Sequence, residues 1–275
     1  MPPKFTIRQS SPFFWKQLRS AFSRLFGTRL QKAKSLHVVT VNGQKFKRLI
    51  LCDSYLAAEL ERYLDCFVES GYFPPLVARY EREIWLEYVE GTRIEVVDEP
   101  FVEQVAEFYA MVYAADSRLV ETTRTPFPAR LSQDLRFLSQ VGALSQSVSL
   151  DLQDAIPTLM PKQVWVGYEY TDPVLKNFIL LPDRQGLCVV DVDGLAKDQL
   201  LGMGVAKACV RWLGPHQERF FGHLSRPDVP DFHPYFSFVE LCFLAKWTKW
   251  AFLEHKWKVI QPTLFERFRP STSLS

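Results

Sequence analysis

The pattern of apolar and polar positions predicts a strand-rich region at the front of the chain. Two strand-like runs, LHVVTV and QKFKRLIL, flank Asn42-Gly43, and both of these residues accept the positive φ angles of a tight hairpin turn. The next segment, SYLAAELERYLDCFVESG, repeats apolar side chains at helical spacing and closes with Gly71. GYFPPLVARYEREIWLEYVEG then predicts two short strands after a Pro-Pro turn. We therefore expect residues 37–90 to form a β-rich unit with one helix.

The remainder of the chain, residues 91–275, is predicted to be mostly helical. EPFVEQVAEFYAMVYAADSRLV and PARLSQDLRFLSQVGAL carry apolar residues three to four positions apart. A long apolar segment near the C-terminus, FSFVELCFLAKWTKWAFLEHKW, is interrupted by charged residues, which predicts an amphipathic or core helix and not a membrane span. Strand-like runs on either side of LPDRQG interrupt the helical region. We expect an α+β fold of two lobes, and clefts between such lobes are natural ligand sites.

Cysteine and histidine usage argues against a disulfide framework and a zinc site. The five cysteines are scattered without a CxxC pair, and the five histidines show no metal-ligand spacing such as HExxH. An odd, unpatterned set of cysteines is typical of free thiols in a reducing compartment. We therefore expect a cytoplasmic protein.

Positive charge is concentrated at the start of the chain. Residues 1–36 contain eight Lys or Arg and no acidic residue, although the whole chain is nearly neutral at +2. Apolar residues at helical spacing, among them Phe14, Leu18 and Phe22, predict a basic amphipathic N-terminal extension whose residues 10–35 could lie on an anionic membrane surface. Packing of this helix on its own domain and an organellar presequence remain alternatives. Nucleic-acid binding is not expected, because the basic residues are confined to one helix and no reading motif accompanies them.

The segment YTDPVLKNFILLPDRQGLCVVDVDG combines three polar residues with two apolar runs. Asp172 precedes Asn177 by five residues, and the second apolar run carries Asp191. Phosphoryl transfer from ATP requires a carboxylate that orients the acceptor hydroxyl and oxygen ligands that hold Mg²⁺ on the phosphates. This chemistry would give Asp172 the catalytic role and would make Asn177 and Asp191 the metal ligands. Asp193 is the rival metal ligand, but in a continuing strand it would point to the opposite face.

These motifs resemble the protein-kinase-like superfamily, whose catalytic loop reads D-x-x-x-x-N followed by apolar residues and later by an apolar pair and Asp. WLEYVEG, residues 85–91, is similar to the inter-lobe hinge of aminoglycoside and choline phosphotransferases, and DPVLKNFILL with VVDVDGL is similar to bacterial lipopolysaccharide-core sugar kinases. The resemblance implies a two-lobed fold with a β-rich N-lobe and a helical C-lobe. It also implies ATP- and Mg²⁺-dependent phosphorylation of a hydroxyl on a small molecule or glycolipid, peripheral to the inner membrane.

The same resemblance implies roles for residues of the N-lobe. Lys47 would bind the α- and β-phosphates and pair with Glu59 of the following helix, with Glu61 as the alternative partner. The main chain from Glu87 to Val89 would contact the adenine. These assignments come from the family pattern and not from the spacing of the residues themselves.

The chain departs from the family pattern at two places. No glycine-rich G-x-G-x-x-G loop covers the phosphates, and Val174 stands where the family often has Lys or His two residues after the catalytic Asp. Lys176 cannot be assumed to replace that cation. A catalytically inactive kinase-fold interaction module and a protein kinase therefore remain open as alternatives to a small-molecule kinase.

Overall fold

The computed structural model describes residues 6–9, 35–182, 186–256 and 261–269, so most of the predicted N-terminal extension lies outside the described residues. The strands in chain order are β1 Thr6–Gln9, β2 Ser35–Val41, β3 Gln44–Ile50, β4 Leu76–Tyr80, β5 Glu83–Glu87, β6 Thr92–Arg93, β7 Arg118–Glu121, β8 Gln163–Tyr170, β9 Phe178–Leu180, β10 Leu187–Val189 and β11 Leu195–Leu200. The helices are α1 Ser54–Asp65, α2 Glu99–Ala115, α3 Phe127–Gln140, α4 Gln146–Leu159, α5 Met203–Ala208, α6 Gln217–Leu224 and α7 Phe236–Leu253.

The chain forms two compact units. The first contains residues 1–95 and 175–195, and the second contains residues 96–174 and 196–275.

The first unit contains an antiparallel sheet with the strand order β1-β2-β3-β5-β4. Its β2–β3 hairpin closes at Asn42 and Gly43, which have φ angles of 51° and 85°. The pairing of Val41 with Gln44 leaves only these two residues in the turn. The hairpin predicted from Asn42-Gly43 is therefore confirmed, and it fixes the register of β3.

Helix α1 begins and packs as its sequence pattern predicts. The side chain of Asp53 caps its first turn by accepting a hydrogen bond from the Leu56 amide at 2.8 Å; such caps stabilise a helix by about 1 kcal/mol. The buried face of α1 carries Ala57, Leu60 and Leu64, and it packs against β4 and β5. The helix thereby covers one face of the sheet.

A second small sheet in the first unit has the order β10-β9-β6. The Val189 amide donates to the Tyr72 carbonyl at 2.7 Å, which ties β10 to the rest of this unit. Gly91 lies so close to β9 that a Cβ atom there would be 2.3 Å from the Leu180 carbonyl oxygen. These contacts explain a difference from the predicted boundaries. Residues 175–195 group with the front unit, which extends to Glu95, and not with a continuous back lobe from residue 91.

The second unit is predominantly helical, as predicted, and adds a three-stranded sheet with the order β11-β8-β7. Helix α2 buries an aromatic face that includes Phe108, Tyr109 and Tyr113. Helix α7 is buried along most of its length. The long apolar segment near the C-terminus is therefore a core helix.

The charged residues that interrupt the apolar run of α7 are paired inside the second unit. Glu240 accepts a hydrogen bond from Arg267 at 2.9 Å, and Lys249 donates to Asp134 at 2.6 Å. Such pairing offsets the cost of removing a charge from water. Across the helices of the described ranges, none has both the length and the hydrophobicity required to cross a membrane.

Close backbone packing at Gly204 joins helix α5 to the end of β8. A Cβ atom at this position would lie 1.9 Å from the carbonyl oxygen of Tyr170 and 2.5 Å from the hydroxyl oxygen of Tyr109. Both atoms are fully buried, and the hydroxyl of Tyr109 donates to that same carbonyl at 3.0 Å. Only glycine permits this approach of α5 to β8.

We expect Gly204→Ala to lower the free energy of unfolding by about 1–3 kcal/mol or more, because the added methyl group would displace a buried backbone. Urea denaturation measures the change. Gly222→Ala in α6 is the matched control, since nothing lies within 4 Å of a Cβ atom there. This control should be stabilised by about 0.5–1 kcal/mol through helix propensity. Equal effects of the two substitutions would contradict the close packing at Gly204.

Candidate active site

The register of the β9–β10 hairpin brings Asn177 and Asp191 together. Phe178 pairs with Val189, and the Val190 amide donates to the Asn177 carbonyl at 2.9 Å, so the ladder continues one step beyond the strands. Asp191 follows directly, and Nδ2 of Asn177 lies 3.4 Å from Oδ2 of Asp191. The structure thus places the two predicted metal ligands side by side, and their role as ligands remains a prediction.

Burial of the neighbouring strands holds this pair in place. Phe178 and Val189 are fully buried, and Asn177 is only 4% exposed. At Asp191 the chain leaves the strand and enters a short helical turn, Val192–Gly194. Asp193 therefore lies in that turn and not in a continuing strand, so strand alternation does not determine where its side chain points.

Lys47 lies next to the segment that carries Asp191. It occupies the middle of β3, where it pairs with Val38 of β2 and Leu86 of β5. Its Nζ atom donates a hydrogen bond to the carbonyl of Val190, the residue before Asp191. Burial raises the pKa of the nearby Cys188 thiol to about 12, while the positive charge of Lys47 acts in the opposite direction. The first unit therefore places the Lys47 ammonium beside the residue that precedes Asp191, and its phosphate-binding role remains a prediction.

The structure corrects the expected pairing of Lys47 with Glu59 of helix α1. Oε1 of Glu59 accepts hydrogen bonds from Tyr55 at 3.2 Å and Tyr63 at 3.4 Å, one turn away on either side. The alternative, Glu61, pairs instead with Arg79. Within the described ranges, neither glutamate forms an ion pair with Lys47. The physical reason is local, because side chains four residues apart on one helix meet directly.

The segment predicted to contact adenine follows β5. The Glu87 amide donates to the Pro75 carbonyl at 3.0 Å, so this N–H group is used within the protein. Two residues beyond Tyr88, Glu90 forms an exposed ion pair with Lys45 at 2.7 Å. The adenine-binding role of the main chain from Glu87 to Val89 remains a prediction.

Asp172 lies in the second unit, on the loop after β8. Its carboxylate forms an ion pair with Lys207 of helix α5 and is 37% exposed. The next residue, Pro173, is buried, and its carbonyl accepts a hydrogen bond from the indole of Trp212 at 2.7 Å. The loop is therefore anchored at two successive residues while the carboxylate stays partly exposed to solvent.

A fully buried carboxylate lies below this loop. Glu169, near the end of β8, accepts hydrogen bonds from the Gly202 amide at 2.7 Å and from the Tyr113 hydroxyl at 3.1 Å. Burial raises the pKa of Glu169 to about 8, while these bonds and those from the amides of Met203 and Gly204 act to lower it. Glu169 therefore fixes the start of α5 to the end of the strand that leads to Asp172.

The oxygen donors of the first unit fit Mg²⁺. This ion prefers carboxylate and carbonyl oxygens, and at nucleotide sites it commonly takes one or two protein ligands together with phosphate and water. Asp191 supplies a carboxylate, and the amide of Asn177 carries a carbonyl oxygen. Their proximity, 3.4 Å between the amide nitrogen and the carboxylate, makes joint coordination feasible.

Sequence reasoning missed two residues around Asp172. Lys207 is separated from Asp172 by 35 positions, so no local spacing could indicate their ion pair. Glu169 had a signal, because a single acid within the strand-like run VWVGYEY is costly to bury unless it is hydrogen-bonded. An acid in such a run predicts a structural hydrogen-bond network.

Glu169→Gln should remove a pH dependence of stability. The pKa of Glu169 in the folded protein is about 8, above the ordinary value of 4.5. The folded state therefore retains a proton that the unfolded chain releases. This contribution to stability is complete below about pH 4.5 and is lost as the pH rises through about 8. We expect the free energy of unfolding of the wild type to fall across this range relative to that of the variant, as measured by chemical denaturation at several pH values.

The matched control is Glu99→Gln, because Glu99 is exposed and pairs with Arg219 at the surface. Its stability should follow the wild-type pH profile. Parallel profiles for the wild type and Glu169→Gln would contradict the assignment of the pH dependence to Glu169.

Comparison with known proteins identifies the fold. No family model matches the sequence, and no curated protein matches it. Among solved structures, the chain is similar to choline kinase LicA from Streptococcus pneumoniae, with a TM-score of 0.60 and 13% identity over 94% of this chain and 98% of that chain. It is also similar to the GDP and kanamycin complex of APH(2")-IIia, with a TM-score of 0.59 and 13% identity over 96% and 92% of the two chains.

A third similar structure is the macrolide 2'-phosphotransferase MphH from Brachybacterium faecium, with a TM-score of 0.57 and 11% identity over 88% of this chain and 89% of that chain. The protein-kinase-like fold indicated by the sequence motifs is thereby confirmed. At these identities the comparison establishes the fold, and the activity has to be argued from the residues.

Proposed function

We propose that this chain is a phosphotransferase that moves the terminal phosphoryl group of ATP to a hydroxyl group of a small molecule or glycolipid. The observation that carries the proposal is the arrangement of Lys47, Asn177 and Asp191 in the first unit, where an ammonium group and two oxygen ligands are brought to one place. Polyphosphate binding requires this combination of positive charge and metal-binding oxygens. The structures with the same fold carry names of choline, aminoglycoside and macrolide phosphotransferases, which supports a hydroxyl-bearing acceptor.

Asp172 would act on the acceptor. Its accessible carboxylate accepts a hydrogen bond from the acceptor hydroxyl and receives the proton as the oxygen attacks the terminal phosphorus. A bond forms between the acceptor oxygen and phosphorus, the bond from phosphorus to the leaving oxygen of ADP breaks, and phosphorylated acceptor and ADP are the products. The anchoring of Pro173 by Trp212 holds the carboxylate in position for this step.

The nucleotide would be bound by residues of the first unit. Lys47 donates to the α- and β-phosphates, and the main chain from Glu87 to Val89 contacts the base. Asn177 and Asp191 would hold Mg²⁺, which would supply positive charge to neutralise the phosphates. Structures with this fold have been solved with AMP and with GDP, so both ATP and GTP are reasonable donors to test.

For the acceptor we favour a sugar of the lipopolysaccharide core. The support is the likeness of DPVLKNFILL and VVDVDGL to kinases of that class, together with the basic residues of the N-terminal extension. A glycolipid acceptor at the inner face of a membrane would suit a cytoplasmic enzyme with a basic, aromatic-rich segment at residues 10–35.

An inactive interaction module is the second candidate. Val174 leaves the catalytic loop without the cation that many relatives carry at that position. The β2–β3 turn contains only Asn42 and Gly43, and a two-residue turn is much shorter than a phosphate-covering loop. Nucleotide binding separates the candidates, because a scaffold of this kind need not bind Mg²⁺-nucleotide. A protein kinase is the third candidate function. Protein substrates in the same turnover assay would test it.

The decisive experiment compares Asp172→Asn with Asp191→Asn. Turnover is measured with ATP or GTP against choline, ethanolamine, kanamycin, a macrolide and lipopolysaccharide-core sugars. Asp172→Asn should lower kcat by about 10²- to 10⁴-fold without changing nucleotide affinity. Asp191→Asn should weaken Mg²⁺-dependent nucleotide binding, measured by calorimetry or by the shift in melting temperature.

Asp193→Asn is the matched control, two residues from Asp191 and equally conservative. It should retain nucleotide binding. Stronger loss of nucleotide binding in Asp193→Asn than in Asp191→Asn would transfer the metal role to Asp193. Nucleotide binding and turnover that are unchanged in both main variants would refute the assigned roles.

The membrane proposal predicts binding to vesicles that contain anionic lipid and not to neutral vesicles. A triple charge reversal, Lys16→Glu, Arg19→Glu and Arg24→Glu, should abolish vesicle sedimentation. Each basic residue near an anionic surface contributes about 1 kcal/mol, so three reversals should lower the affinity by more than about 100-fold.

The matched control reverses three exposed arginines of the described ranges, Arg62, Arg82 and Arg124, which changes the net charge equally. This control should still sediment with anionic vesicles. Equal loss in both triple variants would show that net charge, and not residues 10–35, determines the binding.

A further inference from the structure

The loop that carries Asp172 obtains its cation from outside the loop. Val174, two residues after Asp172, is apolar, and Lys176 is exposed to solvent. The ammonium that contacts the Asp172 carboxylate belongs to Lys207 of helix α5. The side chain of Lys207 is only 19% exposed, so solvent screens its charge less than that of a surface lysine.

The placement of Lys207 is fixed by the contacts that hold α5. Glu169 accepts a hydrogen bond from the Gly202 amide at the start of the helix, and Gly204 packs directly against the carbonyl of Tyr170. Lys207 follows Gly204 by one turn on the same helix. The distance from the end of β8 to the Lys207 side chain is therefore set by buried, closely packed main chain.

A π-helical turn brings a second side chain of this segment to the same loop. Lys207 and Trp212 are five residues apart, which in a regular α-helix would turn their side chains about 140° away from each other. The π turn over Cys209–Leu213 accommodates an extra residue, and such turns bring side chains five apart closer to one face. Lys207 binds Asp172, and Trp212 binds Pro173. The segment thus contacts two successive loop residues.

We propose that Lys207 is a further catalytic residue, which donates hydrogen bonds to the phosphoryl group during its transfer; this inference rests on the proposed function. Phosphoryl transfer spreads negative charge over the phosphoryl oxygens, and a fixed positive charge at that place lowers the barrier. Under the proposed function the acceptor hydroxyl binds Asp172, so the ammonium beside this carboxylate lies next to the reacting oxygen. Lysine has three N–H donors, so it can bind the carboxylate and a phosphoryl oxygen together.

The proton balance of the step leaves Lys207 protonated throughout. The acceptor oxygen bonds to phosphorus, its proton passes to Asp172, and the leaving oxygen departs with the nucleoside diphosphate. Lys207 supplies charge and neither gains nor loses a proton. It thereby replaces, from a different part of the chain, the cation that Val174 cannot provide.

The experiment uses the full chain, with the nucleotide and the acceptor that give the highest wild-type turnover. Lys207→Met should lower kcat by at least about 100-fold, as for the loss of a donor that stabilises transition-state charge, with nucleotide affinity within about twofold of wild type. Lys207→Arg restores the charge and should recover at least about tenfold of that loss.

Lys249→Met is the matched control, because Lys249 also pairs with an aspartate, Asp134, at 2.6 Å and is similarly shielded at 30% exposure. The control should keep wild-type kcat.

Three results would overturn the role of Lys207. They are a kcat of Lys207→Met close to that of the control, a loss expressed only in KM for the acceptor, and a Lys207→Arg variant that folds but is no more active than Lys207→Met. Melting temperatures identify a variant that fails to fold. If Lys207→Met fails to fold, the comparison of Lys207→Arg with the wild type decides alone. We then expect Lys207→Arg to keep at least about a tenth of the wild-type kcat, and a lower value would overturn the role. A wild type that neither binds nucleotide nor turns over any acceptor would overturn the proposed function and this inference together, whereas an active wild type with an equally active Lys207→Met overturns only the inference.

Discussion

The pairing of β9 with β10 is the constraint on which the candidate site depends. Its register extends by one hydrogen bond, from the Val190 amide to the Asn177 carbonyl, and this bond aligns Asn177 with the segment that enters Asp191. The carbonyl of Val190 accepts a hydrogen bond from the ammonium of Lys47. The main-chain N–H and C=O groups of Val190 therefore hold the strand pairing and the cation in register next to Asp191. A slip of this pairing by one residue would turn the side chains of the slipped strand to the opposite face.

The parts of the structure that could be predicted are those determined by local sequence. Asn42-Gly43 specifies its hairpin because both residues tolerate positive φ, and α1 follows from its apolar spacing and its Asp53 cap. The meeting of Asn177 and Asp191 was predictable because two apolar runs on either side of LPDRQG are expected to pair as a hairpin. The resemblance to kinases added the order of the elements, which agrees with the order of strands and helices along this chain.

The parts that could not be predicted depend on tertiary contacts or on ambiguous local patterns. Strand β7 has four residues, too few for a period to be recognised, and α4 contains Pro157 within a segment whose apolar residues partly alternate. The ion pair of Lys207 with Asp172 joins residues far apart in sequence. The contacts of Glu59 are local and were also missed. Two tyrosines of its own helix provide hydrogen bonds that a family pattern does not encode.

The division of the chain into two units has a consequence for dissecting the protein. Because residues 175–195 complete the first unit only after the chain has passed through residues 96–174 of the second, no single cut yields a complete front unit. A fragment that ends at Glu95 would lack β9 and β10, and with them both Asn177 and Asp191. Ribosomal synthesis imposes the same order, so the first unit cannot be completed until residue 195 has been made. Only a fusion that joins residues 175–195 directly to residues 1–95, without residues 96–174, would make the first unit one continuous piece.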